Sequence, residues 1–267
     1  MTRVARLGAV DYLNARPLVY GLELQNHLFS VRFDVPSKCA ALLHEGSIDV
    51  GMIPSIEYLR APEPYRVVPG MAIISDGPVA SVALFSKLPV EKITSIAADT
   101  SSRTSNGLLR VLCYERFGID PRFDAMSPDP TVMLTQCDAA LIIGDPALFL
   151  DHEARGLLKI DLGEQWTAMT ELPFVWAFWA GRPAALTAVQ VQALATARNG
   201  GVAHSDDLAT SYCGPDRAAL GCAYLRENIK YQLGDREEAG LRRYYELAEK
   251  HGVVDHAAAP EFYEAGE

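Results

Sequence analysis

The chain has 267 residues, 49% of them hydrophobic and 22% charged, enough for a sizeable core in one large domain or two of ordinary size. Its formal net charge of −10, with no basic stripe, argues against a nucleic-acid partner. An acidic ligand would need a local site built from a few arginines and helix N-termini. The elements follow in chain order. VARLGAV (4 to 10) is a short strand, and ARPLVYGLEL has helical spacing with Pro17 in a first turn. FSVRFDV (29 to 35) alternates as a strand does; PSKCAALLHEG (36 to 46) is a helix with Ser37 as cap and Gly46 as stop; IDVGMIPS (48 to 55) is a buried strand ended by Pro54. This β-α-β-α-β rhythm implies a parallel sheet flanked by helices.

RVVPGMAIISDGPVASVALFSK (66 to 87) is long and strand-rich. The rhythm then recurs: strand 93 to 99, helix 105 to 118, strand 123 to 127, short helix 130 to 136, strand 137 to 145. IDVGMIPS and CDAALIIGD have the same plan, an Asp, a small-apolar run and a polar turn. Two similar lobes are therefore expected, the first of residues 1–87 plus 171–267 and the second of residues 88–170. Two extended crossings, 66 to 87 and 157 to 181, would make a hinged clamp. The last third is helical (184 to 201, 216 to 234 and a final helix whose Leu241, Tyr244, Tyr245 and Ala248 share one face) and completes the first lobe. Those tyrosines are expected in the core.

Five cysteines at irregular spacing, with Cys39, Cys113 and Cys222 in helix-like apolar patterns, read as buried free thiols of a reducing compartment. The first residues lack a secretory apolar core, and FVWAFWA (174 to 180) is too short to span a bilayer, so a soluble cytoplasmic protein without a membrane partner is expected. The six histidines are scattered, with no metal-ligand spacing and no phosphate-loop motif, so neither a metal nor another cofactor is expected.

Ligands of open α/β sheets bind at the carboxyl ends of the strands. Those ends carry Asp11, Asn14 and Arg16; Ser37; Ser55 and Glu57; Ser75, Asp76 and Ser81; Thr100, Ser101, Ser102, Arg103, Thr104 and Ser105; and Gly144 and Asp145. Converging from two lobes, they would line a cleft rich in hydroxyls and amides for a small carboxylate. The stretch DTSSRTSNG (99 to 107) has two readings, a well-capped helix or an anion site at a helix N-terminus.

YLNARPL (12 to 18), GSIDVGMIPSIEY (46 to 58) and DTSSRTSNGLLRVL (99 to 112) together resemble the chorismate dehydratases of the futalosine route to menaquinone. The resemblance implies an α/β fold of the two-lobe, type II periplasmic-binding-protein kind, each lobe a mixed sheet flanked by helices. It implies a lyase that removes water from chorismate, a dicarboxylate, to give 3-[(1-carboxyvinyl)oxy]benzoate. The active-site Asn of that family falls on Asn14, and its hydroxyl loop on Ser101, Ser102, Thr104 and Ser105. Arg16 with the first turn, and the N-terminus of the helix after DTSSRTS, would each take one substrate carboxylate. Asp11, Glu57, Asp76 and Asp145 are the protein carboxylates that could serve as a base; the alternative base is the substrate's own enolpyruvyl carboxylate. The rival readings are a non-enzymatic carboxylate-binding protein and the sister dihydroxynaphthoate synthase, whose expected Cys-Pro-Asn-Asp stretch and early His are absent here.

Overall fold

The structure, a computed structural model, describes residues 3–264. The first sheet is built from β1 (Ala5–Val10), β2 (Phe29–Asp34), then helix α1 (Pro36–His44), β3 (Val50–Pro54), β4 (Arg66–Val67) and β5 (Ile73–Ser75). The second takes β6 (Val82–Ser86), β7 (Ser95–Asp99), α2 (Arg103–Leu112), β8 (Arg122–Met126), α3 (Pro130–Gln136), β9 (Ala139–Ile143), the one-turn α4 (Asp145–Leu148), β10 (Leu158–Asp161) and α5 (Leu162–Thr170). The chain then returns through β11 (Phe174–Gly181) to the first sheet and ends in α6 (Ala188–Ala203), α7 (Ser205–Cys213), α8 (Ala218–Ala223) and α9 (Asp235–Lys250).

The two sheets share one plan. In the first, ordered β2-β1-β3-β11-β4 with β5 also on β11, the strands β2, β1 and β3 are parallel and β11 runs against them. In the second, ordered β10-β6-β9-β7-β8, the strands β8, β7 and β9 are parallel and β6 is antiparallel to β9 and β10. β3 and β9, the look-alike strands of the sequence, thus lie in separate sheets at matching positions. Both are buried along their whole length, as strands covered on two faces must be.

Several expectations change. β6 pairs with β9 and β10, so the second sheet starts at Val82 and not after residue 87. The return crossing contains a helix, α5, capped by Asp161. Pro36 occupies the first helical position of α1, and no side chain caps it, so Ser37 is not its cap. α7 is an additional helix that the sequence pattern does not mark, and the helix expected to 234 ends in a π turn at Tyr224–Asn228. Cys39 and Cys113 are buried, but Cys222 is only partly so. α9 belongs to neither lobe alone: it packs on β11 of the first sheet and on α2 of the second. Tyr244 and Tyr245 are fully enclosed, as their spacing predicts.

Candidate active site

The polypeptide leaves β1 into the 3-10 helix Leu13–Val19, which carries Asn14. Pro17 suits so tight a helix, since its fixed φ fits and one donor fewer needs a partner. From below, Tyr231 donates its hydroxyl proton to the Asn14 carbonyl at 2.9 Å. The side-chain oxygen, Asn14 Oδ1, is buried and has no hydrogen-bond partner among the described residues. A buried amide oxygen left so costs about 1–3 kcal/mol, which a ligand donor would recover.

Across from it, α2 starts at the end of β7. Ser102 is its N-cap residue by backbone angles, yet its hydroxyl caps nothing. It donates instead to Ser105 Oγ at 2.7 Å. The Ser105 proton has no acceptor among the described residues, so this pair presents a free donor. Here the hydroxyls of DTSSRTSNG are not spent on capping. Asn106 ties the loop down by donating from Nδ2 to the carbonyls of Asp99 and Ser102, both at 2.7 Å. Asp99, almost fully buried, accepts from the Ser101 amide at 2.8 Å and hydroxyl at 2.6 Å. Burial pushes the Asp99 carboxyl up, against the pull of the Ser101 bonds.

Between these elements lies a cavity of about 50 Å³. Its polar lining is Asn14, Ser102, Thr104, Ser105 and the Gly144 turn; its walls are Tyr12, Trp176 and small apolar residues from both sheets. Among the described residues no charged side chain lines it. Bonds between the lobes close it. Leu13 N–H donates to Asp145 Oδ1 at 3.2 Å, and the Tyr212 hydroxyl to Asp145 Oδ2 at 2.5 Å. Ile56 N–H donates to Thr104 Oγ1 at 3.2 Å. Ser55 spends its proton on the Val175 carbonyl at 2.8 Å, so in its 3.4 Å contact with Thr104 the threonine is the donor. Thr104 is therefore engaged on both counts. Arg103 reaches the buried Glu57 at 2.5 Å, where His44 and Arg60 also bind.

Of the residues singled out in the sequence, Asn14, Ser102, Thr104, Ser105 and Gly144 thus meet at one cavity. The others do not line it. Arg16 pairs with Asp11 and lies between the rings of Phe33 and Tyr212. Arg103 pairs with Glu57, and Ser81 Oγ lies 2.6 Å from the Tyr224 hydroxyl. Ser37 N–H donates to the Ser101 carbonyl, joining the lobes at their rim. Ser55 and Asp145 hold the closure described above, Ser101 is held by Asp99, and Thr100 is exposed on a separate hollow. Among the four carboxylates considered as bases, Asp76 is on the surface with Arg236, and none lines the cavity. Tyr12 and Trp176 were missed. Tyr12 lies inside the quoted motif YLNARPL, whereas Trp176, whose indole donates to Ser75 Oγ at 3.1 Å, reads from sequence as one more apolar strand residue.

Residues 5–250 match the family described as menaquinone biosynthesis. The chain belongs to that family. Among curated members similar to it, the chorismate dehydratase of Thermus thermophilus is 29% identical over 263 residues, covering 90% of this chain and 93% of that one. The chorismate dehydratase of Campylobacter jejuni is 33% identical over 178 residues, 64% of each chain. This member of the menaquinone biosynthesis family has the periplasmic-binding-protein fold. A protein from Archaeoglobus fulgidus superposes with a TM-score of 0.75 at 18% identity, covering 94% of this chain and 98% of its own. The alkanesulfonate-binding protein of Xanthomonas axonopodis pv. citri does so with 0.70 at 18% identity, covering 97% of both. Among the described residues no helix is long and apolar enough to cross a membrane.

Proposed function

We propose that this protein removes water from chorismate to give 3-[(1-carboxyvinyl)oxy]benzoate, as a carbon–oxygen lyase of the futalosine route working in the cytoplasm. Five unpaired cysteines agree with a reducing compartment. The two lobes, 3–81 with 171–264 and 82–170, would close on the substrate. One observation carries the mechanism: the cavity between the lobes is mostly apolar, has no charged side chain among its described lining residues, and is lined by Asn14, whose side-chain oxygen is buried without a partner among the described residues.

A dianionic substrate placed there meets no protein carboxylate. The enolpyruvyl carboxylate, tethered at ring carbon 3, takes the proton from that carbon. The electron pair forms the carbon 3–carbon 4 double bond, and the hydroxyl at carbon 4 leaves, taking a proton to become water. Atoms balance as chorismate on one side, the benzoate and one water on the other. Aromatisation supplies the driving force, so positioning suffices where a strong base would otherwise be needed. Asn14 orients the leaving hydroxyl or the carboxyl that carries the proton, a task for a neutral amide that both donates and accepts. The Ser102–Ser105 donor and the α2 N-terminus hold a carboxylate. Chorismate incubated with the pure protein should give the benzoate and one water, read by liquid chromatography and mass; chorismate recovered intact while still bound would make the protein a binding module instead.

A further inference from the structure

A second cavity, of about 520 Å³, opens on the first lobe, where the end of α6 faces the segment after the π turn. That is the size of an ordinary small-molecule site. Its floor is apolar, from the buried Leu225, Ile229 and Tyr231, with the exposed Val202 beside them. Its charged lining is all of one sign, Arg198, Arg226 and Lys230, in a chain whose net charge is −10. Arg226 has a surface pair with Asp206 at 3.3 Å, and among the described residues Lys230 Nζ donates to the carbonyls of Arg226 and Glu227. Among the described residues no carboxylate pairs with Arg198. This arginine donates to the Gly70 carbonyl and Gln232, and its Nε is buried without a partner among the described residues. Burial of this uncompensated guanidinium pushes its pKa down. A half-buried cation beside an apolar floor, its Nε enclosed and no carboxylate on it among the described residues, is an incomplete ion pair.

We propose that this cavity binds an organic anion with an apolar body, its head group on Arg198 with Arg226 and Lys230 at the rim. The site is coupled to Asn14, because Tyr231 forms part of its floor and donates its hydroxyl proton to the Asn14 carbonyl.

The probe is 8-anilinonaphthalene-1-sulfonate, an apolar body with one anionic head, titrated into the full chain by fluorescence and calorimetry. One probe per chain is expected, and saturating chorismate should not displace it. Arg198→Gln should weaken it about tenfold, the scale of a lost charge-assisted hydrogen bond. Since Arg198 also ties Gly70 to Gln232, two variants of exposed residues guard against misfolding: Val202→Trp fills the cavity and should abolish binding, and Arg226→Gln should weaken it about threefold. Parent-like affinity in both Val202→Trp and Arg198→Gln, or displacement by chorismate, overturns the site. At saturation the probe should shift the chorismate KM at least about twofold through Tyr231; an unchanged KM overturns the coupling. The binding measurements need no turnover, so their failure is separate from failure of the proposed reaction.

Discussion

Asn14 and the serine pair do different work, and substitution separates them. Asn14 holds its place through its backbone, by way of Tyr231, so trimming the side chain leaves the 3-10 turn intact. Asn14→Ala should lose turnover more than affinity, and Asn14→Asp should be worse, because it sets a like charge against a dianion. Steady-state kcat and KM check both; an Asn14→Asp protein with parent-like kcat would remove Asn14 from the mechanism. Ser102 and Thr104 are expected to diverge. Ser102 caps nothing, so Ser102→Ala should leave the melting temperature nearly unchanged while chorismate binding weakens by about 1 kcal/mol or more. Thr104→Val should instead strand the Ile56 amide and weaken closure. If Ser102→Ala lowers only the melting temperature, by the ~1 kcal/mol of a lost cap, the serine is a cap after all.

At the scale of elements, α6 sets the height of the 3-10 turn that carries Asn14. A Cβ on Gly201 would lie 2.1 Å from the Pro17 carbonyl oxygen, a contact no side-chain rotation relieves. Gly201→Ala should therefore cost about 1–3 kcal/mol of overpacking and reduce activity beyond that loss, since the displaced backbone is that of the turn itself. Parallel denaturant melts and kinetics test this; an unaffected kcat would mean that the turn adjusts freely. Gly144 is a second such point. Its φ of +66° favours glycine, and Tyr12 ring carbons lie 3.0 Å from where a Cβ would be. The turn and the ring thus close one end of the cavity together.

The molecule as a whole is described in a closed form. A cavity of about 50 Å³ is far below the ~300–1,000 Å³ of sites that take a small organic ligand. Chorismate must enter an opened form, and the bonds of Asp145, Thr104 and Arg103 across the cleft must break and re-form. X-ray scattering should show the radius of gyration falling when a substrate analogue binds; identical curves with and without it would mean that local rearrangement, not lobe motion, admits the substrate. Glu57 makes closure dependent on pH. Burial raises its carboxyl pKa, but the His44 bond and the charges of Arg103 and Arg60 outweigh this and hold it below the ordinary value. A carboxyl depressed in the folded state contributes stability above its unfolded pKa, about 4.3, and that stability is lost as pH falls through the folded value. The melting temperature should drop on the acid side for this reason. Glu57→Gln should flatten that limb while costing about 3–5 kcal/mol at neutral pH, the scale of a buried pair broken on one side. An unchanged acid limb would assign it to other carboxylates, Asp49 among them.

The alternation of short apolar strands with helices determined the class of fold without help. Each of β1, β3, β7 and β9 is a run covered on both faces, so its composition alone marks it. The motif residues Asn14, Ser102, Thr104 and Ser105 were legible because they sit where strands end and polar side chains have no other reason to gather. What the tertiary structure alone decided is which of them face the cavity and which charges are already paired. Arg16 and Arg103 look free in the sequence, but Asp11 lies five residues from the first and Glu57 forty-six from the second, and only the fold brings the latter pair within 2.5 Å. The limits of the second sheet also escaped, since β6 lies in a long strand-rich crossing and its pairing with β9 is non-local. Local pattern reports whether a residue will be buried. It carries no record of which distant partner the burial brings, and the charge of this site is set by those partners.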